Sequence, residues 1–443
     1  MAVIPAYVKA VTEKLNMAGF EAYPVGGCVR DLLLGKTPHD WDVCTSAKPE
    51  HMKAVFSGVP CFDTGLKHGT LTVLSGGEPI EITTFRSDGG YSDHRRPDSV
   101  SFVTSLREDL SRRDFTVNAL CFDEGGGVID LFGGRADLEK GLIRCVGDPE
   151  QRFEEDALRI LRALRFSSVL DFDIEKDTSA AIRKKAGLLS FVSAERVFSE
   201  LKKLLTGCRA GQLLLEYREV FALIIPELAE GFDVKQNNPH HKYDVYTHIC
   251  KSVDSIPQDD TLRLTMLMHD IGKPRCKTTD DAGIDHFKKH PAVGAAMAED
   301  ILARLKADNR TRELVCEYIK EHDNRLAENE RSVARFISKH GYEFFDNYLL
   351  IRRADTLAQS MYYREEKLKD LEVLRDIRNE LERKDACLKL SDLAIGGREL
   401  LGLGFRGREI GIALDAALEG VIAGEVKNER EELIAYVKQK RQQ

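Results

Sequence analysis

The sequence predicts an α+β protein, in which a mixed sheet-and-helix region over residues 1–147 is followed by helices to the end of the chain. Short apolar runs rich in β-branched residues fall in the first third, bounded by turn residues, at 24–27, 71–74, 80–84 and 99–103. From residue 148 onward nearly every stretch has helical periodicity. The length of 443 residues favours about three domains over one.

Local signals place the boundaries of these elements. Residues 30–34 predict a helix that ends near Gly35, and the mixed region closes at 141–146. Asp148 is suited to cap the next helix, because Pro149 follows at its first position and Gln151 occupies the third position of a capping box.

Two further segments stand out in the helical part of the chain. Residues 237–241 predict a loop before a histidine-rich helical stretch. From about Leu388, glycines are spaced between apolar residues, and a charged helix is expected over 427–440.

The composition excludes several classes of protein. With 42% hydrophobic and 31% charged residues the chain is not a disordered scaffold. The net charge of -8 argues against bulk electrostatic binding of nucleic acid but allows a local basic groove. Ten cysteines without a Cys-x-x-Cys pair exclude a zinc ribbon and predict a reduced protein. Neither a signal peptide nor a run of roughly 20 apolar residues is visible, so a soluble, cytoplasmic protein with no membrane partner is expected.

The densest chemistry lies between residues 25 and 45. Asp40 and Asp42 are two positions apart, so on a strand both carboxylates would lie on one face and could share a divalent cation. Mg²⁺ prefers such carboxylates together with substrate phosphates. Gly26 and Gly27 lead into the predicted helix, whose N-terminus and Arg30 could bind phosphate oxygens. Each feature alone is commonly a solvated turn, and together they predict a phosphate and metal site.

Two neighbouring residues have more than one interpretation. Glu81, in a predicted strand, could be a third carboxylate over the same metals, or a surface residue of an edge strand. Trp41 would point to the opposite face from the two aspartates and is predicted to pack.

A second pattern occupies residues 154–166. Asp156, Arg159, Arg162 and Arg165 recur at three-residue steps and would form one stripe on a single helix, opposite an apolar face. A salt-bridged surface helix would have the same pattern. A carboxylate accepts from an exocyclic amino group and a guanidinium donates to a ring nitrogen, so an Asp–Arg pair could accept cytosine and adenine and reject uracil and guanine.

These motifs resemble the bacterial tRNA nucleotidyltransferase and poly(A) polymerase family. The resemblance rests on G-G-x-V-R-D with D-x-D, on R-R-D-F-T-V-N-A-L at 112–120 and on E-D-A-L-R at 155–159. Residues 85–97 are similar to the flexible loop of the full CCA-adding members, which disfavours a CC-only enzyme. The segments 393–404 and 424–432 also resemble the CCA-adding tail.

The resemblance implies a fold and a set of roles. A polymerase-beta-like nucleotidyltransferase head would span residues 1–147, a helical neck 148–230, a helical body 231–385 and a helical tail 386–443. It implies addition of CMP and AMP from CTP and ATP to the 3′ end of tRNA, with Mg²⁺ held by Asp40 and Asp42. Gly27 and Arg30 match the family's triphosphate and sugar contacts. Its nucleotide-binding set is matched by Arg113, Asp156, Arg159, Arg162 and Arg165.

A third group of residues follows the order H…HD…D. Its members are His248, His269, Asp270 and Asp355. Imidazole and carboxylate together suit a divalent transition metal with positions open to water and substrate, and His290 and His322 could complete a second metal position. The pattern resembles the HD phosphohydrolase superfamily and implies phosphatase or 2′,3′-cyclic phosphodiesterase activity on RNA ends.

Other functions remain open at this point. The same head serves poly(A) polymerases, against which the acidic charge and the CCA-type tail argue, and use of CTP decides between them. A phosphohydrolase whose head only binds RNA is disfavoured by the intact D-x-D, and a pure binding module by the absence of an aromatic stacking pattern. The sequence fixes neither the oligomeric state nor the metal of the histidine site.

Overall fold

The computed structural model describes residues 4–66, 69–90 and 99–442. The chain divides into two compact units. The first comprises the residues up to Ala229 together with Leu302–Ala307, and the second comprises Glu230–Ile301 and the residues from Asp308 onward. Of the segment 85–97 that resembles the loop of CCA-adding enzymes, residues 91–97 lie outside the described residues.

The first unit contains both strands and helices. Its strands are β1 (Ala22–Pro24), β2 (Asp42–Thr45), β3 (Cys61–Gly65), β4 (Thr70–Ser75), β5 (Glu78–Thr84), β6 (Arg86–Asp88), β7 (Val100–Phe102), β8 (Leu120–Phe122), β9 (Val128–Asp130), β10 (Leu142–Ile143) and β11 (Asp173–Ile174). Its helices are α1 (Ala6–Met17), α2 (Gly27–Leu33), α3 (Pro49–Val55), α4 (Leu106–Ser111), α5 (Gly134–Lys140), α6 (Pro149–Glu155), α7 (Leu158–Leu170), α8 (Lys176–Lys185), α9 (Ala194–Leu205), α10 (Ala210–Glu216) and α11 (Arg218–Ile224). The predicted α+β class is confirmed.

Helices dominate the remainder of the chain. They are α12 (Val245–Asp254), α13 (Asp260–Met268), α14 (Lys273–Cys276), α15 (His290–Arg304), α16 (Asn309–Glu321), α17 (Glu330–His340), α18 (Tyr342–Ala358), α19 (Arg364–Arg383), α20 (Gly397–Gly402), α21 (Arg408–Ile422) and α22 (Arg430–Gln442). A short hairpin joins β12 (Thr278–Thr279) and β13 (Asp285–His286). In the described residues no helix is both long and apolar enough to cross a bilayer.

The five-stranded sheet of the first unit has the strand order β1-β2-β5-β4-β3. β2 and β5 run parallel, with Asp42 opposite Glu81 and Val43 opposite Ile82. Because side chains alternate along a strand, the buried Val43 and Ile82 face the core together with Leu71 of β4. Asp42 and Glu81 therefore share the other face of the sheet.

The expectation that strand alternation relates Asp40 to Asp42 is wrong. β2 begins at Asp42, and Asp40 lies in a bend before the strand. Across the sheet face, Glu81 is the carboxylate in register with Asp42. Trp41 is buried, as its predicted packing role requires.

The start of the helical part of the first unit follows the predicted signals. The Asp148 carboxylate accepts from the backbone N–H groups of Glu150 and Gln151, at 2.8 and 3.4 Å. Pro149 is the first residue of α6, where its missing N–H costs no hydrogen bond. The predicted cap is confirmed.

In the second unit, α12, α13, α16 and α18 pack on one another and bury their apolar faces. The C-terminal helices α20, α21 and α22 have a separate core that includes Leu400, Ala417 and Leu433. A Cβ at Gly420 would lie 2.7 Å from the Tyr436 ring, so glycine is what allows α21 and α22 to approach closely.

Candidate functional site

A cavity of about 380 Å³ lies in the first unit, on the sheet face that bears the carboxylates. Its walls are formed by Val25, Asp42, Val43, Thr70, Glu81, Thr83, Arg86, Arg112, Arg113, Asp114, Asp156, Arg159 and Arg162. The structure thus brings together five of the nine residues assigned to this site from the sequence, and with them Glu81, the possible third carboxylate. The other predicted members, which do not line these walls, are Asp40, Gly27, Arg30 and Arg165.

Asp42 is a cavity carboxyl group whose pKa is raised. Its side chain is open to the cavity, yet the surrounding walls desolvate it and raise its pKa to about 6, an effect opposed by the Arg113 guanidinium and reinforced by Glu81 and Asp40. A bound cation would relieve this repulsion. Oxygen ligands of this kind suit Mg²⁺, which takes a few carboxylates and completes its shell with phosphate and water.

Arg113 lies beside the carboxylates and close to the glycine turn. Its Nη2 is 3.4 Å from the buried Asp109 Oδ2, and although burial opposes the charge, Asp109 raises the Arg113 pKa. Gly26 has φ +85°, and a Cβ there would lie 3.1 Å from Arg113 Nη1. Gly26 is therefore the glycine that the turn requires, whereas Gly27 is the first residue of α2.

Arg30 is buried inside the unit. Its Nη1 donates to Asn118 Oδ1 at 2.6 Å, its Nη2 is 2.8 Å from Asp31, and its guanidinium lies 5.1 Å from the centre of the Phe166 ring. Asn118 in turn donates to Asp114 Oδ1 at 3.0 Å. Arg30 is thus linked to a wall of the cavity through Asn118.

The predicted single helix through residues 154–166 is wrong, because the chain breaks the helix at Asp156. This residue has extended backbone angles, φ −137° and ψ 103°, between α6 and α7. Its Oδ1 accepts from the Leu158 N–H at 3.1 Å, the local competition that disfavours aspartate inside a helix. Arg196 of α9 holds the other oxygen at 3.1 Å. Asp156 therefore lines the cavity from a kink.

The three arginines of α7 have fixed partners within the first unit. The ion pairs are Arg159 Nη1–Glu155 Oε2 at 2.7 Å, Arg162 Nη2–Asp114 Oδ2 at 2.6 Å and Arg165 Nε–Glu200 Oε2 at 2.8 Å. Arg159 also donates to the backbone carbonyl of Arg112 at 2.8 Å. The predicted apolar face is confirmed, since Ile160 and Leu164 are fully buried. These guanidiniums are held in place without a ligand, which suits recognition of a fixed hydrogen-bonding pattern.

Sequence reasoning missed Asp114. Its only signal was the R-R-D motif at 112–114, from which Arg113 alone was assigned. The carboxylate accepts from Arg162, 48 residues further along the chain, and these contacts outweigh its burial and lower its pKa to about 2. A pairing so distant in sequence is set by how α7 packs within the first unit.

Replacing Asp114 with asparagine is expected to destabilise the first unit by about 2 kcal/mol at neutral pH. The native pKa lies below the unfolded value, so the carboxylate contributes stability above pH 4, and that contribution is lost as the pH falls toward 2. The difference in the free energy of unfolding between wild type and Asp114→Asn should therefore shrink as the pH falls from 4 to 2. Urea unfolding at several pH values measures this difference.

Asp173→Asn is the matched control for this prediction. Asp173 also pairs with an arginine, Arg209 at 2.8 Å, but its side chain is 74% exposed. Exposed pairs contribute little, so the control should lose less than about 1 kcal/mol. If the free energy of unfolding fell equally for wild type and Asp114→Asn as the pH was lowered from 4 to 2, the assigned pairing would be contradicted.

A second cluster lies in the second unit and contains all four residues of the H…HD…D pattern. His248 lies on α12, His269 and Asp270 directly follow α13, and Asp355 lies on α18. Ligand atoms of these residues lie within 4.8 Å of one another. A second such group comprises Asp270, His290 and His322. All of these side chains are buried or nearly so.

The four imidazoles are oriented in the same way. The Nδ1 atoms of His269, His290 and His322 lie 2.6–2.8 Å from backbone carbonyls, and that of His248 lies 3.3 Å from one. These carbonyls assign the proton to Nδ1 and leave the Nε2 lone pairs pointing at the cluster centre. Yet Nε2 atoms of His248 and His269 are only 3.2 Å apart, as are those of His290 and His322. Two acceptors at that distance repel unless a cation lies between them, so the donor set fits a metal.

Asp270 joins the two halves of the cluster. Its Oδ2 is 3.2 Å from His248 Nε2 and 3.3 Å from His269 Nε2, while its Oδ1 is 3.2 Å from His290 Nε2. Burial opposes its ionisation, but His269 and Lys273 outweigh burial and hold its pKa well below the usual range. The carboxylate is therefore ionised and lies against both pairs of imidazoles, where it could contribute to holding a metal.

The cavity over this cluster has a volume of about 310 Å³ and a basic rim. Sequence reasoning missed the lysines and the arginine of its walls, which are Lys273, Lys288, Lys289, Arg325 and Lys367. Only Lys273 had a local signal, three residues after Asp270, and its Nζ is 2.7 Å from Asp270 Oδ2. Positive charge around a cation site is suited to an anionic substrate.

Three protein-family models match parts of this chain. Residues 22–144 match the poly(A) polymerase head domain family, and residues 171–232 match a family described as the RNA- and SrmB-binding site of polymerase A. Residues 291–437 match domain 2 of the tRNA nucleotidyltransferases.

Similar proteins were found along most of the chain. The CCA-adding enzyme of Lactobacillus delbrueckii subsp. bulgaricus is 37% identical over 428 residues, 96% of each chain. That of Ligilactobacillus salivarius is 54% identical over 207 residues, so the match spans about half of each protein, 47% of this chain and 51% of the relative. Among solved structures, the Bacillus stearothermophilus CCA-adding enzyme in complex with CTP has a TM-score of 0.72 at 29% identity and covers 98% of this chain and 97% of its own.

Proposed function

The chain belongs to the family of CCA-adding enzymes, and from this premise we propose that it adds CMP and AMP, taken from CTP and ATP, to the 3′ end of tRNA. The observation that carries the proposal is one cavity that joins Asp42 and Glu81 of two parallel strands to Asp156, Arg159 and Arg162. Metal-binding groups and base-reading groups are thereby within reach of one nucleotide.

In this proposal, Asp40 and Asp42 hold Mg²⁺, and Glu81 supports them. Mg²⁺ held by these carboxylates would neutralise charge on the triphosphate and lower the pKa of the attacking hydroxyl. The 3′ hydroxyl of the tRNA gives up its proton to water and its oxygen bonds to the α-phosphorus, while the bond from the α-phosphorus to the bridging oxygen of the β-phosphate breaks and pyrophosphate leaves. Gly27 and Arg30 are assigned to triphosphate and sugar contacts, for which Arg30 must exchange its hydrogen bond with Asn118.

The base is selected by Asp156 and Arg159. The carboxylate accepts from the amino group of cytosine or adenine, and the guanidinium donates to the adjacent ring nitrogen. The contacts to Arg196 and Glu155 hold both groups before the nucleotide arrives. No nucleic-acid template is needed for such a choice, because the protein itself supplies the complementary pattern.

Roles for the four regions follow from this proposal. Residues 1–147 act as the catalytic head and 148–230 as the neck that reads the base. Residues 231–385 form the body with the histidine cluster, and 386–443 form a tail that binds tRNA.

Asp156→Asn is expected to lower kcat/KM for both CTP and ATP by about 10- to 100-fold, because it removes a charge-assisted hydrogen bond to the base. An asparagine amide also offers a donor to the carbonyl of uracil, so the relative use of UTP should rise. Incorporation of each labelled nucleotide into a tRNA transcript measures both effects.

The control for this variant is Asp177→Asn, an exposed carboxylate in the first turn of α8. It should leave nucleotide choice and kcat/KM unchanged. An Asp156→Asn enzyme with wild-type discrimination against UTP would contradict the assigned base contact.

The proposal as a whole is tested with three tRNA transcripts, which end at the discriminator base, after one C and after CC. Two C additions followed by one A support CCA addition. A single A restricted to the CC-ended transcript would instead indicate an A-adding enzyme, and long tails from ATP a poly(A) polymerase. No addition would leave hydrolysis as the function of the chain.

A second activity is supported by the histidine cluster of the body, whose Nε2 atoms converge around Asp270. In this proposal the cluster holds divalent transition metals through His248, His269, Asp270 and Asp355, with His290 and His322 on the far side of Asp270. Such metals supply a nucleophilic hydroxide near neutral pH. The substrate is a phosphate ester at an RNA end, including a 2′,3′-cyclic phosphate.

A further inference from the structure

Three aromatic rings lie in contact with one another beside the histidine cavity, and the first of them belongs to the cavity wall. His240 lines the cavity, and its ring centre is 5.1 Å from that of Tyr362 and 6.4 Å from that of Tyr363. The two tyrosine rings are 4.3 Å apart in an edge-to-face arrangement. Their side chains are 48% and 50% exposed, which is unusual for adjacent aromatic residues. We refer to His240, Tyr362 and Tyr363 as the aromatic platform.

One residue of the platform has a strained backbone conformation. Tyr363 has φ +54°, a left-handed conformation that is rare for a bulky residue. The loop that carries it is tied to the loop of His240, because Ser360 donates its N–H to the His240 carbonyl at 2.9 Å and its hydroxyl to the Pro239 carbonyl at 2.6 Å. Strained residues held by their surroundings are typical of binding sites.

Hydrogen bonds connect the platform to the metal-binding groups. Gln359 Nε2 donates to Asp355 Oδ2 at 3.0 Å, and Gln359 Oε1 accepts from Lys367 Nζ at 2.6 Å. Lys367 Nζ also lies 3.4 Å from His240 Nδ1. One chain of contacts therefore runs from a predicted metal ligand, through a cation on the cavity wall, to the first ring of the platform.

We propose that the aromatic platform is a nucleobase subsite, on which the base of a nucleoside phosphate stacks while its phosphate lies at the histidine cluster. The inference rests on the proposed hydrolase function of that cluster and specifies its substrate as a nucleoside ester. Exposed aromatic rings bind bases of any sequence by stacking. Phe287, another ring of the cavity wall, is half-buried and has the Lys273 ammonium 5.5 Å from its centre, so it is a poorer surface for a base.

The test compares two five-membered cyclic phosphates that differ in the base. Adenosine 2′,3′-cyclic phosphate carries a base, and glycerol 1,2-cyclic phosphate carries none. In the double variant Tyr362→Ala/Tyr363→Ala, KM for the adenosine ester should rise about 10- to 100-fold with kcat within about twofold. Hydrolysis of the glycerol ester should not change.

Two further variants separate stacking from structure. Tyr362→Phe/Tyr363→Phe keeps the rings and should restore the wild-type KM, whereas Met361→Ala, at an adjacent residue that is 70% exposed, should have no effect. An unchanged KM for the adenosine ester would overturn the subsite, and so would an equal loss on both esters. A trinucleotide ending in the cyclic phosphate, assayed in parallel, distinguishes an RNA end from a free nucleotide as the preferred source.

Failure of the hydrolase proposal has a different signature. If the wild-type protein loaded with Mn²⁺, Co²⁺, Ni²⁺ or Zn²⁺ hydrolyses neither ester, the cluster is not a phosphohydrolase. The subsite is then decided by calorimetric titration with adenosine 3′-phosphate. Affinity that falls about tenfold or more in the alanine variant, and not in the phenylalanine variant, supports the platform, and equal affinity in all three proteins overturns it.

Discussion

Asp42→Asn is expected to reduce CMP and AMP addition by about three orders of magnitude. The carboxylate lies opposite Glu81 in the parallel pair of β2 and β5, and no hydrogen bond from the protein neutralises it among the described residues. An amide at this position has no charge to hold Mg²⁺ against the triphosphate. Single-turnover incorporation of labelled CMP into a transcript that ends at the discriminator base measures the loss directly.

The fold should survive this change. Asp42 is repelled by Glu81 and Asp40, so removing its charge costs no favourable ion pair apart from the attraction to Arg113. The thermal unfolding midpoint without Mg²⁺ should therefore stay within a few degrees of wild type. Asp63→Asn, at an exposed carboxylate of β3 that pairs with Lys53, is the matched control and should retain full activity. Near-normal addition by Asp42→Asn would refute the assignment of the catalytic site.

The sequence predicted which residues form this site better than it predicted how they are arranged in space. The D-x-D spacing, taken together with the glycine turn and Arg30, identified Asp42, but the inference that Asp40 shares its strand face was wrong, because β2 starts two residues after Asp40. The neighbour that lies in register is Glu81, 39 positions along the chain, and only the pairing of β2 with β5 brings it there. Local periodicity carries no information about which strands become neighbours.

Helices α6 and α7 illustrate a second limit of prediction from the sequence. The three-residue spacing from Asp156 to Arg165 is compatible with one helix. In the structure the helix is interrupted at Asp156, whose side-chain Oδ1 accepts a hydrogen bond from the Leu158 N–H. The partners Asp114 and Arg196 come from segments more than 35 residues away. A sequence pattern indicated which side chains matter, whereas tertiary packing determines which of them lie in the cavity and which are held behind it.

The residues of the histidine cluster were predictable because histidine and aspartate in the order H…HD…D form an uncommon pattern that is visible in the sequence. Their burial and their approach to within 4.8 Å of one another are properties of the fold. The lysines and the arginine of the cavity wall were not predictable, because these residue types are common on any protein surface. The aromatic platform also escaped prediction, since His240 lies more than 120 residues from the tyrosines and adjacent tyrosines alone do not form a stacking pattern.

Asp270→Asn is expected to abolish hydrolysis at the histidine cluster, with a loss of at least about 10³-fold, and to leave CMP and AMP addition unchanged. Asp270 lies in contact with ligands on both sides of the cluster, so its loss should remove most bound transition metal, whereas His322→Gln should retain the metal on the His248 side. Metal content measured by mass spectrometry on dialysed protein should fall from about two equivalents to near zero for Asp270→Asn and to about one for His322→Gln.

Because the two proposed activities use separate sites, the activity that a variant retains serves as a control for its folding. Asp270→Asn also removes the partner of the buried Lys273 ammonium, which retains Gln236 Oε1 at 3.0 Å, so intact CMP and AMP addition would show that the protein remains folded. Asp376→Asn, at an exposed carboxylate of α19, should change neither metal content nor hydrolysis. Full hydrolysis by Asp270→Asn would contradict a role for this carboxylate, because Asp270 is the residue common to both groups of potential metal ligands. Loss of both activities together would instead indicate that Asp270→Asn unfolds the protein. The His322→Gln variant, which disturbs the cluster less, then tests the metal site through its metal content.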